Sequence, residues 1–355
     1  MREKESSKDS GQGGCYARRQ VDAGFFSSSR RLRLEVGTRF NRSSRRGYYI
    51  DLSSKATTAA WPPSWLGDGY GHVPLAQLGL GHFERFAATG DEQQLARARA
   101  AGDHLVATQV LEPGAQLGGW RHTFSYAHRA PLRPPWLSAM AQGEAASLLA
   151  RLAAETDDPR YAETALLALR PLGVPVESGG VLGELDGLPF LEEYPTDPQS
   201  HVLNGAIFAL WGIRDVVLAT GDAEAERLHS EVLAALTTTC SRFDTGRWSR
   251  YDLFPDPPLN VSSSFYHHLH TSQLRALHHL YGAPEFRELA DRFAAYEARP
   301  DLRAIAFARK VSYRIAIPRH NPYKDLQSTD AEATTEAASR HVFLKILRFH
   351  PIRRS

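Results

Sequence analysis

The 355-residue chain predicts a mainly α-helical protein, an incomplete (α/α) toroid of about four helical hairpins with active-site connectors on one end. Three observations carry that expectation. Apolar residues recur at helical spacing in eight segments that fall into consecutive pairs. The pairs turn at Gly90, Asp157, Gly221 and Gly282, at intervals of 67, 64 and 61 residues, which marks an internal repeat. Connectors rich in Gly, Pro and aromatic residues separate one pair from the next.

The first pair runs PLAQLGLGHFERFAATGD (74–91) and EQQLARARAAGDHLVATQ (92–109). The second is SAMAQGEAASLLARLAAETDD (138–158) with PRYAETALLALRPLG (159–173). The third is LNGAIFALWGIRDVVLATGD (203–222) with AEAERLHSEVLAALTTTCSRFD (223–244). The fourth is HTSQLRALHHLYGAP (270–284) with EFRELADRFAAYEARP (285–300). Gly or Asp-Pro at each turn suits a helix C-terminus followed directly by a new N-cap. A single pair cannot bury its apolar face, so the pairs must stack, and stacked α/α pairs curve into an array.

The connectors are GGWRHTF (118–124), GLPFLEEYPT (187–196) and DTGRWSRYDLFPDPPLNVSSSFYHH (244–268). Equivalent pairs place all three at the same end. That gathers Trp120, Arg121, Glu193, Tyr194, Arg250, Tyr251 and Tyr266 around one concave mouth. In the second connector Pro189 and Pro195 oppose a helix. Glu192 and Glu193 are neighbours in extended backbone and point to opposite faces, so one faces the cleft and the other packs in a salt bridge or meets solvent.

Three regions follow from the charge distribution. Residues 1–46 hold 12 Lys/Arg against 5 acids and read as a basic, disordered segment. Residues 47–299 hold 19 against 30 and contain the paired helices of the α/α array. Residues 300–355 hold 11 against 5 and read as a basic tail with amphipathic helical segments. The basic ends allow peripheral contact with an anionic membrane. No run approaches the 18 or so apolar residues of a spanning helix. The polar start MREKESSKDSGQGG lacks a signal-peptide core. Cys15 and Cys240 make no disulfide framework and no CxxC, so a reducing compartment is expected: the cytoplasm, at the inner face of the membrane.

A mouth of aromatic faces, carboxylates, Arg and phenols suits sugar rings. There is no G-x-G-x-x-G, P-loop or HExxH, so nothing supports a nucleotide cofactor or a zincin site. FYHHLH (265–270) supplies His267, His268 and His270. Adjacent helical histidines point apart, which favours structural or hydrogen-bonding roles over a shared metal. Trp120 either stacks on a sugar or packs in the core. A carboxylate among apolar neighbours has a raised pKa and suits acid–base work.

Several stretches resemble one family. PPWLSAMAQGEAASLLARL (134–152), FLEEYPTDPQSHVLNGAIFALWGIRDV (190–216), RYDL (250–253) and YHHLHTSQLRAL (266–277) are similar to the C-terminal catalytic domain of D-glucuronyl C5-epimerases. GYYIDLSSKA, PLAQLGLGHF and GGWRHTF look like its bacterial members. The resemblance spans roughly residues 47–298. It implies inversion at C5 of a glucuronic acid unit within a glycan, giving iduronic acid through a carbanion with enediolate character. It implies Glu193 and Tyr266 as the acid/base pair, supported by Tyr194 and Tyr251. Trp120, Arg121, Asn204, Arg250, His267 and His270 are the candidate substrate-binding residues.

No cofactor is required by this chemistry. Some family members carry a structural calcium ion, but no ligand set maps onto this chain, so a metal stays unassigned. The expected partner is a uronic-acid glycan, with no nucleic acid; a homodimer is compatible. The acidic middle suits a less charged bacterial polysaccharide better than a sulfated polyanion. The rival readings are a uronic-acid polysaccharide lyase, an inverting hydrolase using Asp252 or Asp256, and a non-catalytic glycan-binding protein.

Overall fold

Each predicted turn is built from the same two local devices. In the computed structural model, which describes residues 20–22, 33–35, 47–56, 71–111, 118–127 and 129–318, Gly90, Asp157, Gly221 and Gly282 all adopt the left-handed conformation. Each closes its helix by donating its N–H to the carbonyl four residues back, at 2.7–3.0 Å. The next side chain, Asp91, Asp158 or Asp222, then caps the following helix by accepting from a first-turn N–H. In the fourth pair Pro284 opens the second helix instead.

The resulting helices are α1 (His72–Thr89), α2 (Glu92–Thr108), α3 (Ala139–Thr156), α4 (Pro159–Leu169), α5 (Leu203–Thr220), α6 (Ala223–Thr239), α7 (Ser264–Tyr281), α8 (Pro284–Ala298) and α9 (Pro300–Ala316). α1, α3, α5 and α7 pack side by side as the inner layer, and α2, α4, α6 and α8 back them. The fold is the expected mainly helical (α/α) array of four hairpins, with α1 and α7 making no extensive contact that would close the ring among the described residues. α3 and α5 approach most closely, because Gly143 and Gly212 bring backbone against backbone.

α5 is the one described helix long and apolar enough to cross a membrane, and it is mostly buried at the centre of the array. The segment 47–56 runs along the inner helices. Tyr48 and Tyr49 pack on Phe208 and Trp211, and Glu84 accepts from the Tyr48 and Leu52 N–H groups. Tyr49 donates to Asp215 (2.5 Å), which also holds Arg151 (3.0 Å) in a fully buried ion pair.

Two boundaries differ from the sequence reading. The fourth inner helix starts at Ser264 rather than His270, because Ser263 caps it through the Tyr266 N–H. Tyr266, His267 and His268 therefore stand on a helix, not in the connector. The stretch expected as a basic tail from residue 300 begins with α9, which buries Leu302, Ala306 and Tyr313 against the array. The expectation of a disordered segment 1–46 falls almost wholly outside the described residues, apart from the antiparallel pair Gln20–Asp22 and Arg33–Glu35. The same is true of the tail beyond residue 318.

Candidate active site

The connectors meet at the N-terminal ends of the inner helices. The Ala139 N–H at the start of α3 donates to Glu192 O. Val202, just before α5, bridges to Asp252, and Leu253 N–H donates to Ser200 O. Arg129 reaches across to the carbonyls of Pro258 and Asp256.

The two glutamates part company as extended backbone requires. Glu192 turns into the scaffold. It accepts from the His201 N–H (3.0 Å) and the Ser200 hydroxyl (3.3 Å) and pairs with His201 Nδ1 at 2.5 Å. His201 stands in the left-handed region at φ 49°, which lets one residue offer both groups to the same carboxylate. Glu193 turns the other way, into the first turn of α5. Asn204 Nδ2 lies 3.5 Å from its Oε2. A Cβ on Gly205 would stand only 2.4 Å from that oxygen.

Burial pushes the Glu193 carboxyl up to about 7, against a hydrogen bond from Tyr194 that pulls it down. Tyr194 and Tyr251 also share a hydrogen bond. Both phenols are held well above the ordinary range, first by burial and then by the Glu193 charge, so they stay protonated donors at neutral pH. Tyr266 meets Tyr251 edge-on, with ring centroids 4.8 Å apart. Glu193, Tyr194, Tyr251 and Tyr266 thus come together from two connectors and the first turn of α7.

The six substrate-binding candidates divide. Asn204 stands beside Glu193, and its Oδ1 is buried with no partner among the described residues. Arg121 is half-buried near the mouth, its carbonyl 3.3 Å from His72 Nε2. Arg250 folds back on its own loop, donating to the carbonyls of Asp252 (3.1 Å) and Phe254 (3.5 Å). Trp120 has no free face. Its indole N–H donates to Leu105 O (3.0 Å) and its backbone is clasped by Gln142, because Gly118 and Gly119 let this strand press onto α4 and α3. The open question for Trp120 resolves to core packing.

His267 and His270 are likewise fully buried, and His270 Nε2 has no partner among the described residues. Ser249 N–H donates to His267 Nδ1 (3.1 Å), leaving the Nε2–H for Phe293 O (2.9 Å), and the ring stacks on Trp248 at 3.7 Å. His270 Nδ1 lies 3.2 Å from Ser249 Oγ. Burial lowers both rings, to about 4 and about 3, so both are neutral pins that fix the third connector. Among the described residues no group of three His, Cys, Asp or Glu side chains could hold a metal ion.

Besides Tyr126, four residues missed in the sequence matter here. Tyr126 stacks on Tyr194 (5.0 Å, 22°) above Trp136 (6.1 Å from Tyr194), so Trp136 supports the aromatic platform for which Trp120 was considered. Only the Pro-Pro-Trp beside a helix start hinted at it. Gln273 donates to Asn204 O (3.2 Å) and leaves its Oε1 buried and unpartnered. Glu144 is buried on α3, holds Gln77 Nε2 at 3.0 Å, and is pushed up to about 8 by burial, with Lys55 and Glu193 close enough to act on it. Gly205 is the fourth. Gly205→Ala is expected to cut turnover about tenfold to a hundredfold by displacing Glu193, while alanine's better helix propensity keeps α5 intact. Circular dichroism beside a turnover assay checks this, and unchanged turnover would show that the seat of Glu193 is not critical.

Comparisons with known proteins point to one family. The model of the family described as D-glucuronyl C5-epimerase C-terminus matches residues 114–295. A D-glucuronyl C5-epimerase of Caenorhabditis elegans is 32% identical over 216 residues, covering 56% of this chain and 34% of that protein. An uncharacterized protein of Methanocaldococcus jannaschii is 32% identical over 167 residues, 46% of this chain and 53% of that one. The chain thus spans about a third and about half the length of these two relatives. Among solved structures, an unsaturated glucuronyl hydrolase from Bacillus sp. GL1 aligns over 66% of this chain and 61% of its own, with 16% identity and a TM-score of 0.42. A glycosyl hydrolase family 88 protein from Bacteroides vulgatus aligns over 73% and 66%, with 15% identity and a TM-score of 0.43. Those two scores are too low to carry chemistry across.

Proposed function

This chain belongs to the D-glucuronyl C5-epimerase family, and from that premise we propose that it inverts C5 of D-glucuronic acid units in a glycan without a cofactor. The observation that carries the reading is the buried carboxylate of Glu193, raised to about 7 and grouped with three phenols. The C5 hydrogen lies α to the uronate carboxylate. Glu193 takes that proton, the C5–H bond breaks, and its electron pair moves into the carboxylate as an enediolate. Tyr194 and Tyr251, kept neutral by burial, donate hydrogen bonds to the developing charge. Tyr266 delivers its proton to C5 from the opposite face, giving the iduronic epimer. Proton exchange with solvent then resets Glu193 and the Tyr266 phenolate. Asn204 Oδ1 and Gln273 Oε1 serve as acceptors for sugar hydroxyls.

A weakly charged uronic-acid glycan fits best, since residues 47–299 carry 30 acids against 19 Lys/Arg. The test is incubation with glucuronan or a heparosan-like glycan in deuterated water, followed by NMR at C5. Deuterium at C5 with the iduronic signal supports the reading. An unsaturated uronate would assign a lyase, and chain cleavage without exchange a hydrolase.

The pH dependence follows from Glu193. The base must be deprotonated, and its pKa in the folded protein is about 7. kcat/KM for exchange is therefore expected to rise about tenfold per pH unit below 7 and to level off above it. A profile already flat at pH 5.5 would remove Glu193 as the base.

A further inference from the structure

α9 lies beyond the family-matched residues 114–295 and has an unusual outer face. Its inner side buries Leu302, Ala306 and Tyr313. Its outer side aligns Phe307, Val311 and Ile315 at four-residue spacing, and these are 70%, 42% and 77% exposed. Ala304 and Ala308 fall between them on the same face, with Ile305 beside them. The outer helix of a water-facing array normally carries charge there, as α6 does with Glu224, Glu226, Arg227 and Glu231. On α9 the charges nearest this line sit along one edge: at 100° per residue, Arg303 and Arg314 flank Phe307. The lone acid, Asp301, is paired with Arg299 at 2.6 Å.

An apolar line with a cationic edge matches a bilayer surface, where the rings and aliphatic chains enter the acyl boundary and Arg side chains reach the phosphates. Charge decides among the possible occupants. A second copy docked symmetrically through this face would set Arg303 and Arg314 against their own kind. The chain's remaining ends are basic too: residues 1–46 carry 12 Lys/Arg against 5 acids, and residues 319–355 carry 7 against 4. The complement is an anionic surface from outside the chain.

We propose that α9 is a membrane-docking helix whose Phe307–Val311–Ile315 line enters the interface of an anionic bilayer while Arg303 and Arg314 bind lipid phosphates at its edge. This narrows to one face of α9 a contact that the sequence suggested for the whole basic stretch 300–355. On its inner side α9 is tied to the third connector. Lys310 Nζ donates to Asn260 Oδ1 (2.7 Å) and Val261 O (2.9 Å) in the third connector, and Arg129 lies over both Phe254 and Tyr313.

The full-length chain, sedimented with vesicles of phosphatidylcholine plus phosphatidylglycerol, is expected to partition at least about tenfold better than with phosphatidylcholine alone. The paired variant Phe307→Ser/Ile315→Ser is expected to lower that partition about tenfold or more. Arg303→Glu/Arg314→Glu should do the same. Phe307 and Ile315 lie on the outer face, so thermal melting of the serine variant is expected to be unchanged. Absent binding by the wild type, equal binding to both vesicles, or full binding by the serine variant would each overturn the proposal. Light scattering adds a further arm: a dimer that the serine variant converts to monomer would assign this face to self-association and also overturn it. None of these readouts depends on turnover at C5.

Discussion

Glu193→Gln is expected to abolish deuterium exchange at C5, by about a thousandfold or more, without loss of the fold. The amide keeps the shape of the side chain against Asn204 and Gly205 but cannot take a proton, and a positioned general base contributes roughly 10²- to 10⁴-fold. Melting curves make the prediction sharper. The Glu193 pKa is raised from an unfolded value near 4.5 to about 7. The folded state therefore holds a proton that the unfolded state releases, and stability from this group is lost as pH climbs from about 4.5 to about 7. Glutamine lacks that loss. The variant should match the wild type's melting temperature near pH 4 and exceed it at pH 8 while remaining inactive. Wild-type exchange in Glu193→Gln would sink the assignment outright, and Tyr266→Phe offers the parallel test on the opposite face of the sugar.

The second large effect concerns the scaffold. Gly212→Ala is expected to destabilise the protein by about 3 kcal/mol or more, equivalent to a fall of roughly 5–10 °C in melting temperature. A Cβ there would stand 2.1 Å from the Gly143 carbonyl oxygen and 2.5 Å from its Cα. Those are main-chain atoms of α3, so no side-chain rotation relieves the clash and the two helices must separate. Separation would also open the layer of buried leucines and alanines that α3 and α5 share. Gly173→Ala is the control, since nothing lies within 4 Å of its Cβ position. Equal melting temperatures for the two variants would mean that the α3–α5 contact is more compliant than its geometry implies.

Local signals were legible in the chain because they act over a few residues. The four left-handed turns at Gly90, Asp157, Gly221 and Gly282 and the Asp caps that follow them need no distant partner. The 3.6-residue period of the apolar positions then determined which face of each helix would be buried, and so the paired array. The division of labour between Glu192 and Glu193 was half readable: alternation says that they part, but not which one meets a cleft. α7 starts six residues before the HTSQLRAL segment because the Ser263 hydroxyl accepts from the Tyr266 N–H.

What tertiary structure alone decided is which side chains share one small volume. Trp120 and Trp136 each lie in connector sequence close before α3, yet one is sealed behind Gln142 and the other carries the Tyr126–Tyr194 stack. His267 and His270 look like site residues in a string but are pins under a loop, because α7 turns them onto Ser249 and Trp248. The raised pKa of Glu193 has the same origin. It arises from loss of water around a carboxylate enclosed by three separate stretches of chain. Burial depends on the packing of distant segments, and no local pattern encodes it. The sequence by itself determined the helices, their pairing and the residues available for chemistry; the packed array decided which of them meet.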